Sequence, residues 1–203
     1  AVNNAKRARK ILKDLGIEII QEVDSKMHET NFAAQVSAIR AAKADLIILS
    51  HNSDAGGRLF RQIRERGIKT PISDTGYTIM GRDFWKNSEG KGVGGISSSI
   101  YTSTDIRPLV QNWIKLWRKT TGKNDSDPGA YETASYDSVH VLARILNNAK
   151  SLGRQDIAKA FMTIKNVETI SGTVSYRSQD LPDIYRSKPV MVKIGENGKL
   201  NKW

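Results

Sequence analysis

Cysteine is absent from the 203 residues, and histidine occurs only three times. The absence of cysteine excludes disulfide bonds, thiolate catalysis and cysteine-ligated metals. His28, His51 and His140 lie far apart in the sequence and lack the HExxH spacing or any comparable one, so we expect no bound metal. No apolar run approaches the ~20 residues that a membrane-spanning helix requires. The opening AVNNAKRARK has no apolar region of the kind found in a signal peptide, which leaves the compartment open.

Motifs for catalysis and cofactor binding are also missing. The chain contains no G-x-S-x-G elbow, and without cysteine it has no Cys–His pair. The segment GVGGIS looks like a glycine-rich phosphate loop but lacks the preceding strand and following helix that such a loop requires. We therefore expect a protein without catalytic activity and without a cofactor.

The chain is strongly basic, with 32 Lys and Arg residues against 21 Asp and Glu residues and a net charge of +11. Such a charge is typical of nucleic-acid-binding proteins, but it also describes an ordinary basic surface exposed to solvent. Only AKRARK is a cluster, and no RRM, zinc-finger or OB motif is present. We therefore expect no nucleic-acid partner.

The first third of the chain alternates helices with short apolar strands. The apolar spacing predicts helices over about 5–15, 31–43 and 55–66, and each precedes a predicted strand, respectively IEIIQEV, ADLIILS and KTPISD. Serial alternation of this kind indicates a parallel sheet with right-handed crossovers. The first helix has no strand before it, so either the sheet lacks a member or the chain is a fragment.

The remainder is mainly helical and ends in β structure. A short helix is predicted within 77–92, and VGGISSSIY reads as another strand. Longer helices follow, the longest over 131–149, with an apolar stripe predicted to face inward: Tyr136, Val139, Leu142, Ala143 and Leu146. RSQDLPD is a predicted turn between the β segments GTVSY and KPVMVKI, and Asn197-Gly198 marks a closing hairpin.

Two polar loops follow the second and third predicted strands. His51, Asn52 and Ser53 come directly after ADLIILS, and the segment from Asp74 through Thr75 and Gly76 to Tyr77 follows KTPISD. Ligands of parallel α/β sheets bind beyond the carboxyl ends of the strands. We therefore expect these two loops to face a small-molecule ligand, although a solvated loop would have the same composition.

The ordered set of segments resembles the substrate-binding proteins of branched-chain amino-acid ABC transporters, the Leu/Ile/Val-binding family of type I periplasmic binding proteins. The resemblance covers nearly the whole chain. It is carried by these segments, in order: KDLGIEIIQEV, NFAAQVSAIRAAKADLIILS, FRQIRERGIKTPI, GVGGISSSIY, YETASYDSVHVLARIL, ISGTVSY and KPVMVKIGENGKL.

The resemblance implies an α/β fold of the type I periplasmic-binding-protein class, in which two lobes joined by three crossovers enclose the ligand. On this interpretation the chain holds a nearly complete second lobe and part of the first. Residues 1–102 would be the α/β sheet of the second lobe, residues 103–170 would be helices of the first lobe, and residues 171–203 would return to the second.

The resemblance also implies a function. An ABC-transporter substrate-binding protein captures an amino acid or a similar small polar metabolite and delivers it to a membrane permease. A bacterial, periplasmic or otherwise extracytoplasmic location and a monomer or weak dimer would follow. The alternative is a ligand-sensing effector domain of a regulator or receptor with the same fold.

The resemblance assigns provisional roles to the polar loops. Members of the family contact ligand from the loop that holds His51 to Ser53, and Asn52 stands where some members have a tyrosine. Members that bind amino acids pair the ligand ammonium with an acidic residue in the next loop. Gly76 falls at that position in one alignment, so Asp74 either takes the role or caps the loop. Tyr131 is a further candidate for ligand contact at the start of the long helix.

Overall fold

The computed structural model describes residues 2–76, 78–124, 126–176, 184–186 and 189–203. Tyr77 and the predicted turn RSQDLPD lie outside the described residues. The chain divides into two compact units, one made of Ala1–Ser99 with Met191–Trp203 and the other of Ile100–Val190. The assignment of the chain to lobes stays a prediction.

The helices and strands of the described residues follow in chain order. They are α1 (Val2–Asp14), α2 (Ala33–Ala42), β1 (Ile47–Leu49), α3 (Ser53–Glu65), β2 (Ile72–Asp74), α4 (Arg82–Ser88), β3 (Ile96–Ser99), α5 (Pro108–Thr121), α6 (Ala130–Asn148), α7 (Arg154–Met162), β4 (Val167–Thr169), β5 (Gly172–Tyr176), β6 (Ile184–Arg186), β7 (Val190–Ile194) and β8 (Leu200–Lys202).

The first unit is built on a sheet with the strand order β1-β2-β3-β7-β8. The pairs β1–β2 and β2–β3 are parallel, whereas β7 and β8 form an antiparallel hairpin. Backbone hydrogen bonds between Ile194 and the pair Gly94 and Gly95 hold β7 beside the start of β3. The predicted closing hairpin is therefore present, and it joins the sheet begun by the early strands.

The core of the first unit lies between this sheet and the flanking helices. One side of α3 is buried because its apolar residues recur at helical spacing, and it carries Leu59, Phe60 and Ile63 into the core. Phe60 meets Phe84 of α4 edge to face, with ring centroids 5.3 Å apart. This packing fixes the helices that follow β1 and β2, and so fixes the loops at the ends of those strands.

The strand predicted at IEIIQEV is wrong for the described structure. Residues 17–26 form no strand, and four apolar side chains of this segment are between 38% and 50% exposed: Ile17, Ile19, Ile20 and Val23. A strand requires a neighbour to take its backbone hydrogen bonds, and none of the described residues pairs with this segment. The apolar pattern alone does not supply that neighbour.

The second unit combines α5, α6 and α7 with an antiparallel sheet of order β4-β5-β6. One of its cores gathers around Trp113, Trp117 and Ile170, and the other around Ile145 and Val174. Trp113 and Trp117 thus lie on the apolar face of α5 and pack against other elements of this unit.

The inward face predicted for the longest helix is wrong at three positions, since Val139, Leu142 and Ala143 are all exposed. Val139 is 66% exposed and Leu142 is 50% exposed. The buried face of α6 is instead the neighbouring one, which includes Thr133, Asp137 and Val141. Asp137 belongs inside because its carboxylate accepts hydrogen bonds from the backbone amides of residues 170 and 171. Because α6 has apolar residues on more than one side, the hydrogen bonds of the buried Asp137 decide which side faces inward.

The fold class is confirmed. The first unit is an α/β structure with a parallel sheet and flanking helices, and its polar loops follow the strands at their carboxyl ends. None of the helices in the described part of the chain is long and apolar enough to cross a membrane.

Candidate ligand-binding site

The two predicted loops lie side by side at the carboxyl ends of β1 and β2. The strands are paired in parallel from Ile47 with Ile72 to Leu49 with Asp74, so both end at the same edge of the sheet. Beyond the strands, the amide of Thr75 donates to the carbonyl of Leu49 at 2.9 Å. We call residues 50–53 and 74–76 the strand-end edge.

The loop after β1 is held by the helix that follows it. Asn52 is the N-cap of α3, and its side-chain oxygen accepts a hydrogen bond from the amide of Ala55 at 3.1 Å. This satisfies one of the amides that a helix leaves unpaired in its first turn. The Nδ1 atom of His51 lies 2.8 Å from the same side-chain oxygen of Asn52. The capping role of Asn52 was not anticipated, because the sequence analysis considered it only as a ligand contact.

Thr78 links the two loops directly. Its hydroxyl donates to the carbonyl of His51 at 2.6 Å and accepts from the amide of His51 at 3.3 Å. The side chain is buried against Gly56 of α3, where a Cβ atom would collide with the Thr78 methyl group. Thr75 adds a second tie, since its hydroxyl donates to the hydroxyl of Ser50 at 3.2 Å.

The carboxylate of Asp74 organises the loop after β2. One oxygen accepts from the amide of Gly76 at 3.1 Å and from the hydroxyl of Ser97 at 2.7 Å. The other oxygen accepts from the amide of Ile79 at 2.8 Å. Gly76 has a φ of +100°, a backbone conformation that favours glycine, and this allows the chain to turn back so that both amides reach Asp74.

A third loop, residues 24–28, lies against the loop after β1, and the sequence does not single it out as part of the candidate site. The Oγ atom of Ser25 lies 3.1 Å from the Nε2 atom of His51, and the side-chain amide of Asn52 donates to the carbonyl of Met27 at 3.2 Å. The ring of Phe32 meets the His51 imidazole edge-on with centroids 6.2 Å apart. These partners are about 25 residues apart in sequence, and the only available signal was the polar composition of a segment leading into a helix.

Two candidates remain, of which Tyr77 lies outside the described residues. Tyr131 belongs to the second unit, where it opens α6 and is 58% exposed. A ligand-contacting role for it stays a prediction, as do the roles of His51, Asn52, Ser53, Asp74, Thr75 and Gly76. Among the residues that the structure describes, no three His, Asp or Glu side chains are grouped as metal ligands would be.

The chain belongs to the periplasmic binding protein family, whose sequence profile matches residues 2–182. This confirms the family that the sequence resembles and its type I periplasmic-binding-protein fold. No curated protein sequence matches the chain.

Solved structures of the same fold agree over almost the whole chain. A leucine-binding protein, LivK, from Thermotoga maritima is 19% identical with a TM-score of 0.83, over 96% of this chain and 53% of that one. LivJ from Streptococcus pneumoniae, a branched-chain amino-acid transporter substrate-binding protein in complex with isoleucine, is 20% identical with a TM-score of 0.77, over 97% and 56%. A type 1 periplasmic binding protein from Bordetella pertussis is 15% identical with a TM-score of 0.82, over 100% and 57%. The chain spans about half the length of these structures.

Proposed function

We propose that the chain is part of the substrate-binding protein of an ABC transporter, which captures an amino acid or similar small polar metabolite and delivers it to a membrane permease. Membership of the periplasmic binding protein family is the observation that carries this proposal. The protein acts outside the cytoplasm and catalyses no reaction. The structural similarity to LivK and LivJ favours ligands of the size of leucine and isoleucine.

The strand-end edge supports the proposal through its rigidity. The side chains of His51, Asn52, Asp74 and Thr75 are all tied to neighbouring loops by hydrogen bonds. A site whose groups are already held in position loses less conformational entropy when it orders around a ligand. The edge is therefore suited to binding a small molecule without prior rearrangement of these loops.

Calorimetric titration of the protein that carries this chain tests the proposal. The ligands are leucine, isoleucine, other amino acids and small carboxylic acids, and the variants are His51→Ala and Lys69→Ala. Lys69 is exposed at the amino end of β2, away from the strand-end edge, and serves as the control. We expect His51→Ala to weaken binding by about tenfold or more, equivalent to about 1.4 kcal/mol.

We expect one class of ligand to bind, with an affinity that Lys69→Ala leaves unchanged. The proposal fails if none of these metabolites binds. The position of the site is wrong if a metabolite binds and His51→Ala and Lys69→Ala have the same affinity.

A further inference from the structure

Asp74, the acidic residue of the strand-end edge, makes its hydrogen bonds to other groups of the protein. The Asp74 carboxylate receives three donors, which are the amides of Gly76 and Ile79 and the hydroxyl of Ser97. An ionised carboxylate accepts about four hydrogen bonds, so little of its capacity remains for a ligand. The amides of Gly76 and Ile79 belong to the loop after β2, and the hydroxyl of Ser97 belongs to the neighbouring strand β3.

Of the two neighbouring carboxylates, Asp54 is engaged by another side chain of the protein. Asp54, in the first turn of α3, makes two hydrogen bonds to the guanidinium of Arg58, at 2.6 and 2.9 Å. Asp24 lies on the 24–28 loop near Arg9. The pKa of Arg9 is raised first by its hydrogen bond to Glu22 and further by the negative charge of Asp24. Asp54 therefore has a partner within the protein, whereas Asp24 belongs to the 24–28 loop and not to the edge.

The other polar groups of the edge are not carboxylates. They are the hydroxyls of Ser50, Ser53 and Thr75, the imidazole of His51, the side-chain amide of Asn52 and the backbone of Gly76, and several of them already make hydrogen bonds within the protein. A ligand ammonium enclosed in a binding site is matched best by a carboxylate with unused acceptor capacity, because burying an unpaired charge is costly and a charge-assisted hydrogen bond is strong. The described edge offers hydrogen bonds to a ligand but no such carboxylate.

We infer that Asp74 is a positioning residue, which shapes the loop after β2, and that this edge binds the neutral or carboxylate part of the ligand rather than its ammonium. The inference rests on the proposed function and narrows it. An amino acid would bind with its ammonium directed away from Asp74. A small carboxylic acid without an ammonium would satisfy this edge equally well.

Hydrogen exchange without ligand tests the positioning role. In Asp74→Ala the amides of Gly76 and Ile79 lose their acceptor, and we expect both to exchange at least about tenfold faster, the ratio that corresponds to about 1.4 kcal/mol. Asp54→Ala is the matched control, since Asp54 contacts Arg58 and neither amide. Unchanged exchange at both amides in Asp74→Ala would overturn the positioning role.

A double-mutant cycle with ligand tests the specificity. The affinities of isoleucine and of 3-methylpentanoate, which lacks the ammonium, are measured for the native protein and for Asp74→Asn. We expect removal of the ammonium to change affinity by the same factor, within about twofold, in both proteins, because additive effects indicate no direct interaction. If Asp74→Asn reduces that factor tenfold or more, Asp74 pairs with the ammonium and the inference is wrong.

The remaining outcomes are also decisive. Binding of 3-methylpentanoate or another small acid without binding of any amino acid supports the inference. If no ligand binds, the proposed function fails, and the exchange rates at residues 76 and 79 still decide the role of Asp74.

Discussion

Asp137 gives the sharpest prediction, because its carboxylate is almost completely buried in the second unit. It is 2% exposed, and its two oxygens accept from the amides of Ile170 and Ser171, each at 2.9 Å. The hydroxyl of Ser171 donates to the same group. Asp137→Ala leaves two buried amides without an acceptor, and each such group costs about 1–3 kcal/mol.

The expected loss for Asp137→Ala is therefore about 2–6 kcal/mol, with the Ser171 hydroxyl left out because it can rotate towards another acceptor. Asp137→Asn retains one acceptor oxygen and turns an NH₂ group towards a donor, so about half of this loss or more is expected. Denaturant unfolding measures the free energy, and hydrogen exchange at residues 170 and 171 shows where it is lost. Asp45→Ala, at an exposed position, is the control.

A loss below about 0.5 kcal/mol in Asp137→Ala, the range of ordinary surface substitutions, would refute this reasoning. It would mean that the two amides find other acceptors at no cost. Faster exchange at residues 170 and 171 without a change in global stability would confine the role of Asp137 to the connection between β4 and β5.

Two further predictions concern Tyr101 and Gly56. Burial raises the pKa of Tyr101, and its hydroxyl donates a hydrogen bond to the carbonyl of Pro128. The protonated side chain therefore stabilises the fold fully below the pKa of about 10 that tyrosine has in the unfolded chain. This contribution to the free energy of unfolding is lost as the pH rises further. Thermal unfolding between about pH 9 and pH 11 should show a decline in stability that Tyr101→Phe reduces; the same decline in both proteins would contradict this. Gly56→Ala places a methyl group against Thr78 and should cost about 1–3 kcal/mol. Thr78→Ser removes the colliding methyl and keeps the hydroxyl, so the double variant should recover part of the loss in denaturant unfolding, and no recovery would show that the collision is not the cause.

The sequence predicts those parts of the fold whose signal is local. The helix with Leu59, Phe60 and Ile63 forms as expected because its periodicity is contained in a few consecutive residues. Within ADLIILS a strand forms at Ile47–Leu49, but only one of its faces is buried, since Ile48 is exposed. The loops at the strand ends are therefore in the expected places. Their juxtaposition follows from the parallel pairing of β1 and β2.

Features that depend on distant partners were not predictable in this way. The segment at Ile17 to Val23 has the composition of a strand, but a strand exists only where a neighbour completes its hydrogen bonds. The links from Ser25 to His51 and from Ser97 to Asp74 join residues 26 and 23 positions apart. Serine hydroxyls are common in proteins, so their hydrogen-bond partners can be identified only when the fold is known.

The position of β7 and β8 has a consequence for the order in which the first unit forms. These strands close the sheet beside β3, yet the chain passes through the whole second unit before it reaches them. At a synthesis rate of about 5–20 residues per second, β7 is made on the order of 5–20 s after β3. During this time one edge of β3 has no strand to pair with. An exposed strand edge is a site of mispairing. The residues Ile100–Val190 of the second unit, by contrast, are continuous in sequence, so they are all synthesised before the first unit receives the rest of β7 and β8.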